Sequence, residues 1–164
     1  MTVHVCFVCT GNICRSPMAE MVFREFLRRE GLEGRVQVTS AGTGSWHAGD
    51  AADYRASTVL ANHGYPCKHT AAQVNADHLR ADLLIALDAG HHRELHRLVR
   101  RSGGDPSRIR MLRSFDPDSK ADLDVADPYY GDDSGFTRVL GVIEASMPGL
   151  VEWVRNHLDG QEAP

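Results

Sequence analysis

The chain holds 164 residues, the length of one domain, and its 42% hydrophobic and 24% charged content suits a globular protein that buries a core without disulfides or a structural metal. Eighteen basic against 22 acidic residues leave a net charge of −4, which argues against a chain built to wrap nucleic acid or coat an anionic membrane. Four Cys are too sparse for a disulfide framework, and no run approaches the ~18 apolar residues of a membrane span or forms a basic, apolar leader, so the reducing cytosol is the expected compartment, with signal-independent export left open.

Residues 3–8, rich in β-branched and aromatic side chains, predict a first strand. A polar loop, 9–16, leads to Pro17, which suits a first helical position. Met18, Met21, Val22, Phe26 and Leu27 then recur on one face, opposite Arg24, Glu25, Arg28 and Arg29, and predict a helix that Gly31 and Gly34 end. Residues 36–41 predict a second strand, followed by a Gly-rich loop, 42–49. A helix is expected over 53–63 with Gly64 as its stop, and a short helical turn over 76–80. The apolar run 82–87 reads as a buried parallel strand, 90–101 as a basic helix and 109–112 as a short strand. Residues 114–133 form a loop with seven Asp and one Lys. Residues 135–158 have a helical pattern, which Pro148-Gly149 is expected to kink or divide. Four strands alternating with helices imply one doubly wound α/β domain with a parallel sheet. In such a fold the loops 9–16, 42–49 and 88–90, after the first three strands, share the ligand-binding face.

The informative stretch is Cys9-Thr10-Gly11-Asn12-Ile13-Cys14-Arg15-Ser16-Pro17, which runs from a strand into a helix N-terminus. Consecutive amides in such a loop make an anion nest, and the helix adds positive potential. Gly11 and Asn12 tolerate left-handed backbone. Arg15 carries a planar fork matched to phosphate oxygens. A Cys at the mouth of this nest sits in a field that favours the thiolate, which Ser16 is placed to hydrogen-bond. A nucleophilic thiol in a phosphate-shaped nest points to attack on phosphorus and a phosphocysteine. The leaving oxygen then needs a proton, and Asp127, held extended by Pro128 and flanked by Tyr129 and Tyr130, is the candidate acid.

These motifs resemble the low-molecular-weight protein tyrosine phosphatases: C-x5-R-S-P near the N-terminus, Asp127-Pro128-Tyr129-Tyr130 late in the chain, and between them 39–43, Asp53-Tyr54-Arg55 and 69–74, in family order over residues 3–158. The resemblance implies a four-stranded parallel sheet with helices on both faces, a phosphate-binding loop after the first strand, and a two-step hydrolysis that uses no cofactor or metal. By position it implies Cys9 as nucleophile, Arg15 as phosphate binder and Asp127 as acid and then base. Thr10, Gly11, Asn12, Ile13, Cys14 and Ser16 complete the loop, and Asn12, Ser16, Ser40 and His69 match its supporting network. Trp46, Tyr129 and Tyr130 match an aromatic rim, with His47 beside it. Cys14 matches a second loop cysteine that pairs with the nucleophile under oxidation and so guards it. The implied substrate is a phosphotyrosine protein or peptide, the enzyme a monomer, with neither nucleic acid nor membrane as partner. Residues 1–160 are expected to form this domain and 161–164 a disordered tail.

Two relatives on the same scaffold stay as alternatives to weigh. Protein arginine phosphatases typically carry Thr where this chain has Ile13, whose bulk favours a phenyl ring. Arsenate reductases relay a disulfide through two further cysteines downstream of the loop, where this chain has only Cys67. Trp46 and Tyr130 place the chain nearer the branch resembling the eukaryotic enzymes than the branch tied to exopolysaccharide control. A rival of another class is a redox-sensing or phosphate-holding module that uses Cys9 and Cys14 without turnover. Cys6 and Cys9 form a C-x-x-C, but a strand puts them on opposite faces and no second Cys pair exists, so Cys6 reads as core. His92 and His96, four apart, lack an evident third ligand, and the basic helix reads as a solvated face.

Overall fold

The computed structural model describes residues 2–162. Four parallel strands, β1 (Val3–Cys9), β2 (Val36–Gly42), β3 (Leu83–Ala86) and β4 (Ile109–Met111), lie in the order β2-β1-β3-β4. β1 is central: Val5 pairs with Val38 on one side and with Leu83 on the other, so its side chains are covered on both faces and read as a nearly unbroken apolar run. On one face Val5, Phe7 and Cys9 meet α1 (Arg15–Arg29), α2 (Tyr54–Asn62) and α5 (Asp133–Glu162). On the other, Cys6 and Val8 meet α4 (Ala89–Arg101) and the loop residues next to the four-residue helix α3 (Ala76–Leu79). Cys6 and Cys9 therefore do face opposite ways, as period-2 alternation demands.

α1 begins at Arg15, two residues before the expected start at Pro17, so the arginine itself sits in its first turn. Its buried face includes Phe23 as well as Met18, Met21, Val22 and Leu27, while Phe26 is only partly buried. It also buries Glu20, which the apolar pattern does not anticipate. Asp53 caps α2 by accepting from the Arg55 amide, and Gly64 ends it at φ +84°.

Pro148-Gly149 does not divide the last helix: α5 spans Asp133–Glu162 with Pro148 inside it. Phe136, Val139, Leu140, Ile143 and Met147 before the proline, and Leu150, Val151, Val154 and Leu158 after it, all bury against the same core. That burial outweighs the ~3 kcal/mol a mid-helix proline costs. Gly149 is needed at the crossing, because a Cβ there would stand 2.1 Å from the carbonyl oxygen of Phe115. Of the tail expected over 161–164, Gln161 and Glu162 belong to this last turn, and residues 163–164 lie outside the described residues.

Candidate active site

Residues 9–14 leave β1 and turn into α1. The scaffold pulls five carbonyls of this loop outward. Cys9 O accepts from Thr43 N (2.9 Å), Thr10 O from Gly44 N (3.0 Å), Ile13 O from Asp53 N (2.9 Å) and Cys14 O from Met18 N (3.1 Å). Asn12 O accepts from the His69 ring (2.7 Å). In a trans peptide the next N–H points opposite to the carbonyl, so the amides of Thr10, Gly11, Ile13, Cys14 and Arg15 are turned inward. This is an anion nest closed by the N-terminus of α1.

The reversal needs one left-handed residue, and Asn12 supplies it at φ 59°. Asn12 is fully buried. Its Nδ2 donates to Ser16 Oγ (2.8 Å) and Ser40 Oγ (3.0 Å), and its Oδ1 accepts from Ala72 N (3.0 Å). Ser40 donates in turn to Glu20 Oε1, 2.5 Å away. Gly42 lies under the loop, where a Cβ would come within 2.6 Å of Thr10 O.

Cys9 Sγ sits at the centre, 2.9 Å from Ser16 Oγ, and accepts from the Asn12 amide at 3.3 Å. Arg15 is nine-tenths buried or more; it donates to Asp88 Oδ2 and Val125 O, both at 2.9 Å. Its other nitrogen lies 3.6 Å from Asp127 Oδ2, so the carboxyl stands across the cleft from the loop. Asp127 Oδ1 accepts from the Tyr129 amide at 3.1 Å. Cys14 shares the cleft, and its thiol is pushed up to about 12, chiefly by burial and then by Asp53, so it stays protonated at neutral pH. All four cysteines are free.

Cys9, Thr10, Gly11, Ile13, Cys14 and Arg15 form the floor of one cleft, and Trp46, His47, Asp127, Tyr129 and Tyr130 its walls. Trp46 is 69% and Tyr130 88% exposed, so neither is a core residue. Tyr129 packs edge-on against Tyr130, their centroids 5.0 Å apart. Asn12, Ser16, Ser40 and His69 lie behind the loop and are joined to it by hydrogen bonds. The three strand-end loops do share one face.

Three residues were missed. Asp88 ends the third strand loop and pairs with Arg15; burial raises its carboxyl, but the His91 amide and Arg15 outweigh that and hold it below the usual range. His91 is buried, and its Nε2 is 2.8 Å from Thr10 Oγ1; burial pushes it down to about 4 and keeps it neutral. The histidine of this helix that meets the loop is His91, next to the His92–His96 pair. Among the described residues no group of three or more His, Cys, Asp or Glu is arranged to hold a metal. Glu20 braces Ser40 from α1.

The chain belongs to the low molecular weight phosphotyrosine protein phosphatase family, whose sequence profile its residues 4–160 match. It is 59% identical over 156 residues to the low molecular weight protein-tyrosine phosphatase A of Mycobacterium tuberculosis, covering 94% of this chain and 93% of the relative. It is 37% identical over 139 residues to the human low molecular weight phosphotyrosine protein phosphatase, covering 84% and 87%. Among solved structures, an arginine phosphatase from Drosophila superposes with a TM-score of 0.85 at 28% identity, over 92% of this chain and 96% of that one. No described helix is long and apolar enough to cross a membrane.

Proposed function

We propose that this protein is a protein-tyrosine phosphatase in which Cys9 Sγ attacks the phosphorus of a phosphotyrosyl side chain. The S–P bond forms as the P–O(tyrosyl) bond breaks, and Asp127 delivers its proton to the departing phenolate oxygen. The inward amides and the Arg15 fork hold the three equatorial oxygens. Asp127, now a carboxylate, takes a proton from water as that water attacks phosphorus. Inorganic phosphate leaves and the Cys9 thiolate returns, with Ser16 Oγ donating to the sulfur. The convergence of the Cys9 thiol, the Arg15 guanidinium and the Asp127 carboxyl on one amide-lined cleft carries this reading.

The walls carry the choice of substrate. Trp46, Tyr129 and Tyr130 stand beyond the nest and flank a planar ring, and a phosphoserine is too short to reach the floor past them. Phosphoarginine is the second reading, supported by the fold shared with the Drosophila enzyme. Ile13 in the floor presents no hydrogen-bond partner to a guanidinium, which favours the phenyl ring. The cleft is complete within one chain, which supports action as a monomer, and its free thiols suit a reducing, cytoplasmic setting.

The test is hydrolysis of an aryl phosphate and of phosphoarginine, with chelator present, by wild type, Cys9→Ser and Asp127→Asn. We expect chelator-resistant aryl phosphatase activity, abolished in Cys9→Ser. Full activity in Cys9→Ser would sink the mechanism, and faster phosphoarginine turnover would transfer the assignment to the second reading.

A further inference from the structure

We infer that Arg55 is a positioning residue for the proton transfer, a clamp that fixes the Asp127 turn to the phosphate-binding loop; this rests on Asp127 as the acid. Arg55 lies outside the loop and the acid motif, yet it touches the supports of both. On one side its guanidinium is held by Asp53, with Nε donating to Oδ1 and Nη2 to Oδ2, both at 3.1 Å. Asp53 is itself tied to the floor of the cleft, because its amide donates to Ile13 O at 2.9 Å.

On the other side Nη2 donates to Tyr129 O (3.1 Å), with Nη1 3.5 Å from Gly131 O. The guanidinium also stands 5.6 Å from the centroid of the Tyr129 ring and 4.6 Å from that of Phe136 on α5. Tyr129 is thus held at both ends: its carbonyl by Arg55, and its amide by the Asp127 carboxylate. The exposed segment that carries the acid contributes few apolar groups of its own to the core. Asp127 is itself partly exposed, and a carboxyl on such a segment delivers a proton efficiently only if the segment is held in register with the sulfur. Arg55 provides a short path for that register: Ile13 to Asp53, Asp53 to Arg55, Arg55 to Tyr129, Tyr129 to Asp127.

A clamp of this kind acts on one step only. Proton delivery matters where the leaving group is poor and little where it is good. The experiment measures kcat/KM, which reports events through the first irreversible step, for phenyl phosphate and for a dinitrophenyl phosphate. The enzymes are wild type, Arg55→Met, Arg55→Lys, Asp127→Asn and the Arg55→Met/Asp127→Asn double variant. The readout is the ratio of the two kcat/KM values within one preparation, which is independent of how much of the protein is folded. Met keeps an apolar stem against Phe136 and removes all the donors.

We expect Arg55→Met to lower the ratio about tenfold, in the direction of Asp127→Asn, with Arg55→Lys in between. In the double variant the ratio should stay within about twofold of Asp127→Asn alone, since a clamp has no effect without its acid. An unchanged ratio in Arg55→Met, or a full further loss in the double variant, overturns the clamp while leaving Asp127 as the acid. A ratio unchanged by Asp127→Asn overturns the acid assignment and the clamp together.

Discussion

Replacing Asn12 by Ala removes a fully buried side chain that braces the nest from behind. Two donors to Ser16 and Ser40 and one acceptor for Ala72 N are lost. Each buried bond of this kind is worth about 1 kcal/mol net. Ser16 and Ser40 keep other partners, Cys9 and Glu20, so neither hydroxyl is orphaned. An alanine at φ 59° adds about 1 kcal/mol of left-handed strain. The sum is a loss of about 4 kcal/mol, which a domain stable by roughly 5–15 kcal/mol survives at 25 °C. Urea unfolding measures this loss directly.

Inorganic phosphate as a competitive inhibitor reports the nest itself, and its inhibition constant should weaken by at least about tenfold, because inward amides depend on Asn12 holding the reversal. A loss below about 1 kcal/mol together with an unchanged phosphate constant would refute the argument that the Asn12 side chain shapes the site.

Gly44→Ala puts a Cβ within 2.2 Å of the Trp46 ring, which is exposed and swings out. We expect KM for a phosphotyrosyl peptide to rise about fivefold, the equivalent of about 1 kcal/mol of ring contact, with kcat and melting temperature held. Because the native His91 stays neutral to about pH 4 while the unfolded imidazole takes a proton below 6.5, stability falls as pH drops from 6.5 to 4 and levels off below. His91→Gln, which keeps a donor toward Thr10, should flatten that slope in urea titrations, by about 3 kcal/mol over the whole window. Gly149→Ala meets the Phe115 carbonyl, which is backbone and cannot step aside, so thermal unfolding should show a loss of about 2 kcal/mol or more. At pH 7 a small alkylating reagent should leave Cys6 and Cys14 unmodified in the native protein, since burial pushes both thiols up to about 12; mass spectrometry of the peptides checks this.

Much of the site was legible as local chemistry. A strand, a Gly-Asn reversal and a helix start within nine residues allow few structures other than an anion nest, and the Asp-Pro pair announces an extended carboxyl. Pro148 does not divide α5, because the local rule is opposed by burial on both sides of it. Asp88, His91 and Glu20 went unread because a single buried polar side chain has no periodicity. Its partner is 81 residues away for His91 and 73 for Asp88, and only the chain crossing brings them together.

By itself, the sequence determined the order of strands and helices and the identity of the groups proposed to do the chemistry, because backbone preference and side-chain reactivity are local properties. The tertiary structure alone decided where the carbonyls of residues 9, 10 and 12–14 are pulled, and therefore which way the following amides face. It also decided that Asp127 stands across from Arg15 and that Arg55 ties the two loops together. Those are distances between segments remote along the chain, set by a sheet that brings three strand ends to one edge.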